Sequence, residues 1–313
     1  MEKLKIFVSR YFAIILLFSA LIGFIVPYPG EIASYLILIL LFTIIFASYF
    51  QADITIPGKK KLINDLLFSL LRYVLIPVIV FLVIKEINVF FSYALLFLFM
   101  MPSGVSSPAI TQILGGNFNL SIRILILSSF IVTFFLPSIS PVLDNNGLQI
   151  SYNKLFFTLL FTIILPFFLH LPARKIRPVK RWMTRNLSLT VVTCLSIIFM
   201  LAIAKNKQGI IEHPSILPMY FVVSLTVYMV LYSSGYFLLP RETRQNKITL
   251  SVSSGLNNVG LGLSLSILYL PPDITIFFIV SEIVWVSMII PVKIIFRRSM
   301  VNDLSYGTKN NFK

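Results

Sequence analysis

Long apolar stretches alternate with short polar segments along the whole chain. Ten of these stretches hold about 20 residues each, the length that an α-helix needs to cross the hydrocarbon core of a bilayer. We predict membrane spans near residues 11–27, 32–51, 62–84, 89–114, 119–143, 152–172, 187–204, 214–238, 246–270 and 274–296. Kinks are expected in the third, sixth, eighth and tenth spans, at Pro77, Pro166, Pro218 and Pro291.

Two of the apolar stretches are interrupted by small and polar residues. The first break, residues 101–108, reads Met-Pro-Ser-Gly-Val-Ser-Ser-Pro, and the second, residues 251–260, reads Ser-Val-Ser-Ser-Gly-Leu-Asn-Asn-Val-Gly. In a bilayer, a backbone N–H or C=O group freed by such a break costs several kcal/mol unless protein or a water-filled cavity satisfies it. One break in each half of a chain is typical of secondary transporters with internal repeats.

Composition agrees with a membrane setting. Of 313 residues, 58% are hydrophobic and 12% are charged, whereas soluble domains carry about 25% charged residues. We therefore predict an all-α polytopic membrane protein. The single cysteine, Cys194, excludes a disulfide or a thiolate metal site within one chain.

The basic residues fall on alternate loops. One side holds 21 of the 26 Lys and Arg residues, the other side holds four, and Arg72 lies inside a span. The poorer side has Lys85, Lys154, Lys205 and Lys207. The positive-inside rule then places both termini, including the polar tail 297–313, in the cytoplasm. The membrane is expected to be the plasma membrane, or the inner membrane of a bacterium. The net charge of +15 is thus a topology signal and a lipid headgroup contact, not a sign of nucleic-acid binding. The tail is expected to lack regular structure.

Five spans per half on alternating sides predict two inverted repeats, residues 11–143 and 152–296, within one transporter domain, residues 1–296. The fourth and ninth spans, which carry the breaks, then correspond and are expected to cross near the midplane, at Ser106–Pro108 and Gly255–Asn258. Half-helix N-termini offer N–H groups to anions, and C-terminal ends offer carbonyls to cations.

The crossing is therefore the predicted binding site. The polar candidates there are Ser106, Ser107, Ser253, Ser254, Asn257 and Asn258, and the helix-breaking residues are Gly104, Pro108 and Gly255. The alternative is that these small residues only let helices pack closely. The adjacent amides of Asn257 and Asn258, both of which need partners in lipid, favour a site.

Both breaks resemble motifs of the bile acid:sodium symporters, a family grouped with arsenite and auxin carriers. The resemblance is carried by Pro102-Ser-Gly, Ser107, Thr111, Gly116-Asn117 and Leu120-Ser121, and by Gly255, Asn258 and Gly260-Leu261. It covers nearly the whole chain. It implies a panel domain of outer helices, a core domain with the crossed helices, and transport of organic anions together with sodium.

The resemblance also implies a set of sodium ligands, which this sequence keeps only in part. Two ligand serines remain as Ser107 and Ser121. The family's glutamate, which serves both sodium sites, falls on Ser253, and its glutamine falls on Asn257. An asparagine, a threonine and a further glutamine are replaced by Pro108, Leu125 and Arg72. The anionic ligand is lost and a guanidinium stands where a ligand stood, so sodium coupling of the family's kind is not expected.

Arg72 lies about ten residues, or about 15 Å, beyond the start of its span, too deep to reach water by snorkelling. It should therefore face protein or a cavity and have a partner. We expect that partner to be Glu282, also near the midplane, with Asp65 closer to the surface on the same face. Four roles stay open: a structural ion pair, Arg72 as a fixed substitute for sodium, Arg72 as an anion-binding group, and Glu282 as a proton carrier.

The sequence leaves three classes of function to compare. The first is an alternating-access carrier of a small organic anion, with sodium or a proton as the possible coupling ion and no other cofactor. The second is a membrane receptor or scaffold that kept the fold and lost coupling. An enzyme is not expected, because the sequence has no HExxH motif, no Ser/His/Asp set and no carboxylate pair.

The predicted orientation can be tested by cysteine labelling in a Cys194→Ser background. An impermeant maleimide should label Asn145→Cys in intact cells, because the 21-to-4 distribution of basic residues puts that loop outside. It should label Lys309→Cys only after lysis. Labelling of Lys309→Cys in intact cells would contradict the topology.

Overall fold

The computed structural model describes residues 11–51, 57–139 and 151–309. In these ranges the chain forms twelve helices and no β-strand. In chain order they are α1 (Phe12–Ile25), α2 (Glu31–Tyr49), α3 (Lys59–Lys85), α4 (Val89–Met100), α5 (Ser107–Ile113), α6 (Phe118–Ser138), α7 (Tyr152–Ala173), α8 (Arg177–Glu212), α9 (Leu217–Phe237), α10 (Arg244–Gly255), α11 (Val259–Tyr269) and α12 (Pro272–Lys309). Of the 21 basic residues on the richer side, Lys3, Lys5, Arg10 and Lys313 lie outside the described residues, and so does the labelling position Asn145.

Seven helices of the described ranges are long and apolar enough to cross a membrane. They are α2, α3, α6, α7, α8, α9 and the Pro272–Phe296 part of α12. Three others, α1, α4 and α11, are apolar but shorter. The fourth and ninth predicted spans are each divided into two short helices, α4 with α5 and α10 with α11, separated at the predicted breaks.

Proline has two different effects on these helices. A π-helical turn, Leu71–Leu75, precedes Pro77 in α3, and a second, Leu160–Ile164, precedes Pro166 in α7. Proline has no N–H to donate to the preceding turn, and local π geometry is a common way to accommodate the loss. Pro218 instead lies in the first turn of α9, where no N–H is needed. The kink predicted at Pro218 is therefore wrong.

Two helices are longer than predicted. The span predicted at 187–204 belongs to α8, which runs from Arg177 to Glu212. Its added first turns are rich in Lys and Arg, which are good helix formers and keep their charges outside the apolar segment. The backbone of α12 continues to Lys309, so the expectation of an irregular tail is wrong. Extending a helix already formed by an apolar span adds one hydrogen bond per residue without a new nucleus.

The broken helices lie in the interior of the protein. Residues 92–100 of α4, 248–255 of α10 and 261–267 of α11 are buried throughout. Outer helices expose large apolar side chains instead, as at Ile14 and Phe18 of α1 and Leu82 of α3. Large apolar side chains on the outer surface suit a lipid environment, where they face the hydrocarbon.

Close packing of α1 on α8 provides a test of this arrangement. A Cβ atom on Gly23 would lie 2.7 Å from the Met200 carbonyl oxygen and 2.8 Å from Cβ of Ile203. Gly23→Val should therefore destabilise the protein by about 1–3 kcal/mol, seen as a lower midpoint of thermal unfolding in detergent. Gly58→Val is the control, because a Cβ there meets nothing within 4 Å. Equal midpoints for both variants would contradict this packing.

Candidate functional site

The two breaks lie against each other and share backbone hydrogen bonds. The Gly104 N–H donates to the Leu256 carbonyl at 2.6 Å, and the Asn258 N–H donates to the Pro102 carbonyl at 2.7 Å. Ser103 and Asn257 form the antiparallel bridge between these bonds. The backbone polar groups of the two non-helical segments are thus hydrogen-bonded within the protein, as the interior of a membrane requires. Contact was expected at Ser106–Pro108, and the structure places it about four residues earlier.

Glycine at position 104 is required by this contact. A Cβ there would lie 2.7 Å from the Leu256 carbonyl oxygen and 2.9 Å from that of Asn257. Gly255 ends α10 and packs on the ring of Tyr232. Pro108 was predicted to break a helix, but it lies in the first turn of α5. That prediction is wrong, since proline suits a first turn, where its missing N–H has no helical partner.

Asn257 supplies a hydrogen bond that proline cannot. The Leu98 carbonyl in the last turn of α4 would accept from residue 102 in a continuous helix, but Pro102 has no N–H. The Nδ2 group of Asn257 donates to this carbonyl at 2.8 Å. Asn258 has a different role, because its Oδ1 caps α11 by accepting from the Leu261 N–H at 3.1 Å.

Arg72 connects the ends of both broken helices. Its Nη1 donates to the Phe99 carbonyl in α4 at 2.8 Å, and its Nη2 donates to the Ser254 carbonyl in α10 at 3.0 Å. Its Nε donates to the Ser254 hydroxyl. The neighbouring residue Tyr73 donates its hydroxyl to the Ser253 carbonyl at 2.8 Å. These are carbonyls of last helical turns, which lack helical partners.

The expected ion pair between Arg72 and Glu282 is not formed. Within the part of the chain that the structure describes, the one ion pair joins Arg123 Nε to Asp65 Oδ2, 2.5 Å apart. Asp65 is therefore also not the partner of Arg72. Arg72 is fully buried, and the guanidinium suits this position because its fixed fork of donors matches two carbonyls and a hydroxyl.

Four serine hydroxyls form a buried chain beside the contact. The Oγ atoms of Ser103 and Ser107 are 2.8 Å apart, those of Ser107 and Ser121 are 3.3 Å apart, and those of Ser121 and Ser253 are 3.1 Å apart. Thr111 donates to Ser121 at 3.4 Å. Ser107, Ser121 and Ser253, which the resemblance aligns with sodium ligands, are thus close together and bonded mainly to one another.

A cavity of about 560 Å³ lies on the other side of the contact. It is mostly apolar, with α2, α5, α8 and α12 among its walls. Its polar lining includes Ser106, Asn257, Asn258, Glu282 and Lys293. Its volume is typical of a small-molecule site. Of the predicted site residues, Ser107, Ser121, Ser253, Ser254 and Arg72 do not line it, so the predicted set separates into a cavity group and an interior group.

Several residues at these two places were not predicted. Tyr73 bonds to the end of one of the broken helices. Its position next to Arg72 was the available signal in the sequence. Ser103 stands within the first break. Trp285 and Lys293 line the cavity because they lie on the same face of α12 as Glu282. Residues spaced by three or four positions share a helix face. That spacing was the available signal.

The fold and the site define a class: a helical membrane protein with two broken helices in contact beside a cavity, as in transporters. The chain belongs to the Sodium Bile acid symporter family, whose model matches residues 32–211, more than half of the chain. The match confirms the resemblance found in the sequence and makes the chain an integral membrane protein of a transporter family. It spans α2 to α8 and includes the first break. Among curated proteins, none matches the chain.

The bond from Asn257 to Leu98 can be tested by substitution. Asn257→Leu keeps the side chain's approximate size and leaves the Leu98 carbonyl without its partner, which should destabilise the protein by about 1–3 kcal/mol. Asn206→Leu is the matched control, because the buried Asn206 donates to the Ala202 carbonyl four residues back in its own helix. Thermal unfolding in detergent should show a larger loss for Asn257→Leu. A loss no greater than that of the control would contradict the role of Asn257.

Proposed function

We propose that the protein is a secondary transporter that moves a small organic anion by alternating access and without sodium. In this proposal the chain crosses the plasma or bacterial inner membrane ten times, in two inverted five-helix repeats, with both termini in the cytoplasm. The fourth and ninth spans cross at the contact between the breaks. Membership of the family and the division of exactly these two spans into paired short helices support it.

The observation that carries the proposal is the position of the Arg72 guanidinium. It lies between the C-terminal ends of α4 and α10 and bonds to a carbonyl of each. Each helix C-terminus has the effect of about half a negative charge, so two ends together match one cation. Arg72 therefore supplies the positive charge that a bound cation would otherwise bring.

A cation that is part of the protein cannot cross with the substrate. It stabilises the crossed helices throughout the cycle and stores no energy from an ion gradient. The serine cluster supports the same conclusion, because Ser253 stands where the family has a glutamate and its hydroxyl bonds to Ser121. A neutral hydroxyl cannot offset the desolvation of sodium as a carboxylate does. Transport is then facilitated, or is driven by protons with Glu282 as carrier.

Uptake into proteoliposomes tests the proposal. The probe is radiolabelled taurocholate, a bile acid anion, with sodium and pH gradients imposed separately. The unmodified protein should accumulate or equilibrate the probe equally well when sodium is replaced by potassium. A requirement for a sodium gradient would contradict the proposal, and saturable binding without uptake would favour the receptor.

A double variant sharpens the test. Arg72→Gln with Ser253→Glu removes the fixed cation and restores an anionic oxygen ligand beside the helix ends. We expect uptake by this variant to become dependent on sodium, whereas Arg181→Gln, which removes an exposed cation on α8, should leave uptake unchanged. If Arg72→Gln alone leaves stability and sodium independence intact, the fixed-cation role is wrong.

A further inference from the structure

Glu282 is buried in the protein interior with one carboxyl oxygen that lacks a hydrogen-bond partner within the described ranges. It is 1% exposed, and its Oε2 has no hydrogen-bond partner among the described residues. Arg72, the expected partner, is bonded to α4 and α10 instead. A buried carboxyl group that stays unpaired is destabilising, so an intramembrane carboxyl that faces a cavity marks a place where something else binds.

Two more unpartnered polar atoms belong to residues of the same cavity. In the described part of the chain, neither Oδ1 of Asn257 nor Nε1 of Trp285 has a hydrogen-bond partner, and both atoms are buried. Asn257 and Trp285 line the cavity with Glu282. Buried polar atoms in proteins are almost always satisfied, so three such atoms in residues of one cavity favour a polar ligand there. Two of the three are acceptors, which require a ligand that donates hydrogens.

The other end of the cavity is positively charged. Lys293 lines it and lies eleven residues after Glu282 on α12. Eleven residues complete about three turns, so the two side chains share one face of the helix about 16 Å apart along its axis. The cavity therefore has a negative, hydrogen-accepting end beside the broken helices and a cationic end near Lys293, with apolar walls between them.

We propose that the transported molecule is a zwitterion, with an ammonium group that binds Glu282 and Asn257 and an acidic group directed to Lys293. The proposal rests on the alternating-access transport proposed above and changes the substrate from a simple organic anion to an organic acid that also carries an ammonium group. An ammonium fits better than an inorganic cation, because a hard cation needs about six oxygen ligands, whereas apolar side chains supply most of the wall at this cavity. Its hydrogens can reach both acceptors.

Binding can be measured without transport. The chain has two tryptophans, and Trp182 is exposed on α8, so Trp182→Phe leaves Trp285 as a single fluorescent reporter inside the cavity. The purified Trp182→Phe protein in detergent is titrated with 8-aminooctanoate, octanoate, octylammonium and sodium chloride. 8-Aminooctanoate should bind about tenfold or more tightly than octanoate, since a hydrogen-bonded charged group contributes that much.

Variants assign the two ends. Glu282→Gln should reduce the preference for 8-aminooctanoate over octanoate to less than about threefold, whereas Lys293→Gln should weaken octanoate and leave octylammonium unchanged. Glu86→Gln, at an exposed position after α3, is the matched control and should change neither. If Glu282→Gln does not fold, the comparison of the four probes on the parent protein still decides the point.

The results that would contradict the zwitterion differ from those that would contradict sodium-independent transport. Equal binding of octanoate and 8-aminooctanoate, or no binding of 8-aminooctanoate, would overturn the zwitterion. So would a saturable response to sodium that Glu282→Gln abolishes, because it would assign the carboxylate to an inorganic cation. Sodium-independent uptake of taurocholate, with no preference for 8-aminooctanoate over octanoate in binding, would support the proposed function and contradict the zwitterion. Tighter binding of 8-aminooctanoate than of octanoate, without any uptake, would support the ammonium site and contradict transport.

Discussion

The bonds from the Arg72 guanidinium to the Phe99 and Ser254 carbonyls hold together the part of the protein on which the rest depends. A helix that stops inside a membrane leaves carbonyls that neither lipid nor an adjacent turn can satisfy. Here two helices stop at the same place, and one side chain from α3 bonds to both ends. The same constraint explains Tyr73 and Asn257, which satisfy the Ser253 and Leu98 carbonyls. The breaks are stable because α3 supplies the donors.

These bonds limit where the protein can move. Because α3 is bonded to α4 and α10, and the two breaks are bonded to each other, this group of helices acts as one unit. In the proposed transport cycle, we therefore expect motion between this unit and the helices opposite, α2 and α8. A polar contact between the two groups is made where Lys205 of α8 donates to the Ile267 carbonyl in the last turns of α11.

Much of the fold follows from the apolar pattern, and much of the site does not. The span positions and the breaks were predictable because length and polarity in a membrane leave few alternatives. The partner of Arg72 was not, because opposite charge suggested Glu282, whereas the structure satisfies the guanidinium with helix-end carbonyls that no sequence pattern displays. Pro108 was misplaced for a similar reason, since a proline that breaks a helix and one that begins it look alike in sequence. The residues that line the cavity could not be predicted, because the sequence does not show which face of α12 points inward.

Equilibrium sodium binding tests the central claim most directly. The purified protein, with its chain unchanged, is incubated with radioactive sodium at increasing concentration in a scintillation proximity assay. Because the Arg72 guanidinium already occupies the space between the helix ends and Ser253 offers no charge, no saturable sodium binding is expected. Saturable binding that appears only in Arg72→Gln would agree with competition between the guanidinium and sodium for one place. Saturable binding by the unchanged protein that Arg72→Gln leaves unaltered would contradict the account.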